Sequence, residues 1–166
     1  MIEVMVKGVA LQPMTNAPVM LLVDRDKKKA LPIWIGLFEA RAIAAEMEHM
    51  PLPGNRPQTH DLMKNILEGL KAKVRKVIIN DLHDGTFYAV ISVMLNGSEV
   101  NLDSRPSDAI ALAIRVKSPI YVARKVMDGA TTIELTKEKL KDEDKDWRKW
   151  LEELKPSPSD ERKLEL

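Results

Sequence analysis

The segment DSRPSDAIALAIRV, Asp103–Val116, limits the folds open to this chain more than any other. At the angular spacing of a helix, Ile110, Leu112, Ala113, Ile114 and Val116 cover most of its circumference. Ser104, Asp108, Ala111 and Arg115 share the one narrow stripe that is left. A helix this apolar is buried nearly all round. Its few charges must open onto a partner, a cleft or water, because burying an unpaired charge is costly. Asp108 and Arg115 lie about 10 Å apart at ~1.5 Å per residue, too far to neutralise each other, so Asp108 needs another cation. Ser104, Pro106 and Asp108 suit a helix start, where the first N–H groups lack partners and a carboxylate meets the positive dipole end.

The rest of the chain supplies the layers such a helix requires. IEVMVKGVAL reads as a strand, and VMLLV and KALPIWI flank the charged turn DRDKKK as an N-terminal hairpin. GLFEARAIAAEMEHM is rich in helix formers and is stopped by PLPGNRP. A second central helix is expected from about Pro57 to Leu70, docking by the arc Leu62, Met63, Ile66, Leu67 and Leu70. AKVRKVIINDL, TFYAVISVML and SEVNLD form a three-stranded meander through the tight turns HDG and NGS. PIYVARKVM adds a short strand and a helical turn. Beyond it, Trp147, Trp150, Leu151 and Leu154 recur at helical spacing, as on an amphipathic C-terminal helix whose stripe docks on its own domain or on a second subunit. The class is α+β, with mixed and antiparallel strands. The expected division is a main domain at 1–133, the charged C-terminal helix at 134–155 and a flexible tail at 156–166.

Composition narrows the function classes. A chain of 166 residues that is 45% hydrophobic and 31% charged is globular, and the lack of cysteine removes disulfides, thiolate metal sites and cysteine nucleophiles. Neither a signal sequence nor an apolar run of membrane-spanning length is present, so a cytoplasmic protein without membrane contact is expected. The net charge of +1 argues neither for nor against nucleic acid, since a dedicated phosphate binder usually carries a strong basic excess. Up to residue 133 there are 14 acids against 17 bases, a mild basic bias.

NRPQTHDL and SRPSDAI share a pattern, Arg-Pro ahead of a helix with an acid in its first turn. Capping accounts for much of it. Asp61 falls opposite the apolar arc of its helix, where a solvated acid sits, and His60 falls at the arc's edge. Adjacent His and Asp serve as metal ligand and general base when a third group joins them, and Glu39 in the preceding helix's first turn is a candidate. His83 and Asp84 occupy a turn where Asp-Gly is wanted for its torsions. Lys71, Lys73 and Arg75 alternate onto one strand face, as a phosphate-contacting ridge or a solvated surface. No glycine-rich phosphate loop and no HExxH or GxSxG motif occurs.

In order along the chain, LPIWIGLFEARAIA, RPQTHDL, DGTFYA, SRPSDAIALAIR and PIYVAR resemble the bifunctional nuclease domain family over about Met1 to Met127. The resemblance implies a mixed α+β domain and a nuclease acting on DNA and RNA. The matching polar positions are Glu39, Arg56, Thr59, His60, Asp61, Asp84, Arg105, Ser107, Asp108 and Arg115. Gln58 and Ser104 stand where Leu and Ala are expected. Phosphodiester hydrolysis commonly uses divalent ions on carboxylates together with arginine or lysine. On that basis Glu39, Asp61 and Asp108 are the candidate ligands of Mg or Mn, with His60 as base or ligand. Arg56, Arg105 and Arg115 are the candidate substrate contacts, and three helix N-termini are expected to face one cleft. Two other readings stay open. One is a non-catalytic module binding nucleic acid or protein, as a homo-oligomer such as a dimer joined through the C-terminal aromatic stripe; the other is a small-anion sensor.

Overall fold

The apolar run VMLLV has no polar interruption because its strand is covered on both sides. Met20 and Leu22 enter one core with Ile43, Val77, Ile79, Ile110 and Leu112, while Val19, Leu21 and Val23 enter a second with Ala30, Ile133, Trp150, Leu151 and Leu154. The computed structural model describes residues 1–141 and 147–154. Its strands are β1 (Ile2–Leu11), β2 (Pro18–Asp24), β3 (Lys29–Trp34), β4 (Lys73–His83), β5 (Thr86–Leu95), β6 (Ser98–Ser104), β7 (Ile120–Val122) and β8 (Ile133–Glu134). The helices are α1 (Leu37–Met47), α2 (Thr59–Gly69), α3 (Pro106–Val116), α4 (Arg124–Gly129) and α5 (Lys137–Lys141), with a 3₁₀ turn at Trp147–Glu153. The protein is α+β. No helix among the described residues is long and apolar enough to cross a membrane.

The strands form one mixed sheet in the order β6-β5-β4-β7-β1-β2-β3-β8. The N-terminal hairpin and the β4-β5-β6 meander are each antiparallel, and β7 joins them, antiparallel to β1 and parallel to β4. Local chemistry closes the hairpins. The Asp24 carboxylate accepts the N–H groups of Lys28 and Lys29 at 2.7 and 2.9 Å, shaping the DRDKKK turn. Asp84-Gly85 and Asn96-Gly97 take the paired positive φ angles that two-residue hairpin turns demand. His83 and Asp84 are exposed at the first of these turns, 3.2 Å apart.

α3 lies against the sheet between α1 and α2, with Ala109 to Ala113 all buried. Its apolar circumference thus has a sheet below it and helices beside it, as the sequence requires. α2 differs from expectation. Met63 and Leu67 pack on the core, but Leu62, Ile66 and Leu70 are 50%, 52% and 61% exposed. The face that docks is turned toward His60, which is 7% exposed, because polar pairs at the helix start, described below, set the rotation. Three of the five residues of the apolar arc therefore face outward.

The second core is completed by the segment Trp147–Leu154. Trp150, Leu151 and Leu154 are buried on the β2–β3 face, and Trp147 lies over Gly8, where a Cβ would stand 2.7 Å from its ring. Buried Gln12 gathers the β1–β2 connection through its Oε1 and donates from Nε2 to the Leu154 carbonyl. The stripe expected on a C-terminal helix thus docks on its own sheet, on a 3₁₀ turn, with Trp150, Leu151 and Leu154 buried there and Trp147 partly so. Residues 142–146 of that expected helix, residue 155 and the tail at 156–166 lie outside the described residues.

Candidate functional site

Arg115 meets three helices at once. Its side chain is 3% exposed. Nε donates to Asp61 Oδ1 on α2 at 2.8 Å, Nη1 to the Ala111 carbonyl on its own helix at 2.8 Å, and Nη2 to the Ala42 carbonyl on α1 at 2.9 Å. The planar guanidinium serves all three because its donors point in fixed, separate directions. Asp61 is correspondingly not the solvated acid expected from its position. Oδ1 takes the arginine, and Oδ2 takes the Gln58 N–H at 2.9 Å, closing the start of α2.

The second carboxylate–arginine group lies nearer solvent. Asp108 does not cap α3: Oδ1 bonds His60 Nε2 at 3.0 Å, and Oδ2 accepts from Arg105 Nε at 2.8 Å. Arg105 Nη1 continues to Glu39 Oε1 at 2.9 Å. Glu39, Arg105, Asp108 and His60 form a relay linking the first turns of α1, α2 and α3. Gly36 makes room for it, since a Cβ there would collide with Glu39 Oε2. The exposed member is Arg105, at 65%, against 19% for Glu39, 28% for Asp108 and 10% for His60. Arg105 also lines a groove of about 1260 Å³ between the end of β3, the β4–β5 turn and the segment from α4 to β8, with Gly36, Ser107, Thr86 and Phe87 on its walls.

The expected convergence of three helix starts occurs, but its charges are met internally. Glu39 and Asp108 hold Arg105, and Asp61 holds Arg115. Among the described residues no three His, Asp or Glu side chains stand together to hold a metal ion, so the donor set proposed for Mg or Mn is not assembled. Arg115, with a bond from each nitrogen and almost no exposure, joins helices. Arg56 is exposed just ahead of α2 and joins neither group. Two members escaped sequence reasoning. The Ala42 carbonyl carries no side-chain signal, whereas Gly36, three residues before Glu39, was visible and unread.

The family model described as the bifunctional nuclease domain matches residues 20–134. The chain belongs to the bifunctional nuclease domain family. An uncharacterized protein of Mycobacterium tuberculosis is 41% identical over 128 residues, covering 77% of this chain and 75% of its own. Proteins named bifunctional nuclease 1 from Arabidopsis thaliana and Oryza sativa are 32% and 28% identical, over 63% and 65% of this chain. The matched part is 33% of each plant protein's length. The matched region contains every residue of both arginine groups.

Both aspartates titrate low. Burial alone would raise the Asp61 carboxyl, but the bonds from Arg115 and the Gln58 amide, with the charge on Arg115, bring it below its ordinary 3.8. Burial likewise raises Asp108, and the bonds from Arg105 and His60 outweigh it. For a carboxyl whose folded value lies below its unfolded one, protonation favours the unfolded chain. The stabilisation is complete above the unfolded value and is lost as pH falls through the folded one. Urea unfolding at about pH 6 and about pH 3 is therefore expected to lose less stability on acidification in Asp61→Asn than in the parent, because that carboxyl no longer titrates. An acid loss undiminished in the variant would contradict the assignment.

Proposed function

We infer that this chain binds nucleic acid by its phosphate backbone and cleaves the phosphodiester bond at the Arg105 relay. The observation that carries the reading is the asymmetry of that relay: one exposed guanidinium stands in a groove, aimed by two carboxylates behind it. Arginine fixed in this way is suited to a phosphate, to which it offers its remaining N–H donors. Membership of the family supports nucleic acid as the anion.

His60 is the proton-handling group in this reading. Asp108, ionised at neutral pH, can only accept at Oδ1, so it selects the His60 tautomer with the proton on Nε2 and leaves Nδ1 basic. A water or a ribose hydroxyl attacks phosphorus, its proton passes to Nδ1, the bond to the leaving oxygen breaks, and that oxygen is protonated from solvent. Arg105 offsets the charge that builds on the phosphoryl oxygens. Asp108 and Glu39 act as positioning residues, with Asp61 and Arg115 holding the helices beneath them. No step runs through a metal, because the carboxylates that would bind one are engaged with arginines. On labelled single-stranded DNA and RNA, Arg105→Gln is expected to weaken binding and cleavage together. His60→Gln should keep binding and lose about 10²–10⁴-fold in rate. Cleavage is expected to persist in EDTA. Loss in EDTA with recovery on Mg or Mn would restore the metal-assisted form, and binding without cleavage by the parent chain would favour the non-catalytic module.

A second reading concerns association. The exposed strip Leu62, Ile66 and Leu70 runs along one side of α2, and contiguous apolar surface of this kind favours a contact with a second copy. Sedimentation equilibrium is expected to give a dimer for the parent chain and a monomer for Ile66→Glu. A parent that sediments as a monomer would end this reading.

A further inference from the structure

We propose that the groove between the C-terminal ends of α2 and α3 is a second nucleic-acid contact, holding the phosphates of a single strand apart from Arg105. This deepens the reading above and rests on nucleic acid being the substrate class. The groove, about 870 Å³, is walled by α2, α3, the start of β4 and the end of β5. β4 begins KVRKV, with Val74 and Val77 both buried. Strict alternation would not bury residues three apart. A bulge makes it possible: Val74 pairs with Val93 and Lys76 with Ser92, so the extra residue Arg75 has no partner of its own. Lys73 and Arg75 are thereby held on the exposed side at the groove, with Lys117, in a left-handed conformation, at the end of α3.

The charges here are unspent. Among the described residues the side chains of Lys73, Arg75 and Lys117 make no hydrogen bond or ion pair. Arg115 also lines the groove, but Asp61 meets its charge, and Lys64 stands 3.8 Å from Glu68. The Ser118 hydroxyl, lining the same groove, bonds nothing. Complementing helix dipoles accounts for a cation at Lys117, since α2 and α3 both end here, but not for two cations on a strand. A solvated strand face accounts for exposure, but not for a concave wall that gathers three unpaired cations. A polyanion meets that pattern. A groove of this size suits a short stretch of single strand better than a duplex, whose major groove alone is about 12 Å wide. α3 is about 15 Å long at ~1.5 Å per residue, so its two ends would hold separate phosphates.

The test is the salt dependence of binding, measured by fluorescence anisotropy with a labelled single-stranded DNA oligonucleotide and the full chain. Each phosphate neutralised on a single strand contributes about 0.7 to the slope of log affinity against log salt. Lys73→Gln/Arg75→Gln/Lys117→Gln is expected to reduce the slope by about 2, alike for unrelated sequences and with an unchanged circular dichroism spectrum. Lys125→Gln, which removes an exposed cation paired with Asp81 elsewhere, controls for the loss of a surface cation outside the groove, expected to leave the slope nearly unchanged. An unchanged slope in the triple variant, an equal reduction in Lys125→Gln, or a parent chain that does not bind the strand would each overturn the proposal. Binding is read without turnover, so a chain that binds here but never cleaves would end the catalytic reading and leave this one standing.

Discussion

The structure depends on the burial of one guanidinium. Arg115 loses its hydration within the helical layer, a cost recovered only when its donors are met, and they are met by a carboxylate on α2 and carbonyls on α1 and α3. An arrangement of this kind is specific before it is strong. Replacing a buried pair with apolar groups is often neutral, whereas removing one partner typically costs about 3–5 kcal/mol, because a charge is left behind. Arg115 therefore fixes where α1 and α2 lie on α3, and through Asp61 it sets the rotation of α2. The exposure of Leu62 and Ile66 follows from that rotation.

Holding α2 in this way also brings His60 to Asp108. Asp61 and His60 are adjacent, so the bond that anchors the one delivers the other, and the inner ion pair positions the outer relay. The two arginines consequently differ in use although they stand at the two ends of one helix, Arg105 just before α3 and Arg115 in its last turn. Arg115 is closed off and bonded from each of its nitrogens, while Arg105 is held from behind and free in front.

Much of the fold was legible in local pattern. The hairpins announce themselves in Asp-Gly and Asn-Gly, and α3 in its apolar circumference; β2 reads as a hairpin strand, and its cover on both faces emerges only in the structure. The place of β7 between β1 and β4 was not legible, because three residues cannot specify partners far away in sequence. On α3, the separation of Asp108 and Arg115 along one stripe excluded a mutual pair, and each is met from elsewhere. Their actual partners could not be read. Arg115 pairs with Asp61, 54 residues away, and the geometry is set by a backbone carbonyl that every residue possesses. The dipole argument brought three acids to three helix starts but could not tell whether a metal ion or arginines would meet them there.

The central claim is that Arg115 works through several directed bonds rather than as a charge alone. Lysine keeps the charge but is a compact ammonium without the planar fork, so it cannot reach Asp61, Ala111 and Ala42 together. Urea unfolding of Arg115→Lys at neutral pH tests this most directly. A loss of about 3 kcal/mol or more is expected, approaching that of a broken buried pair. A loss below about 1 kcal/mol, the range of an exposed ion pair, would contradict the account.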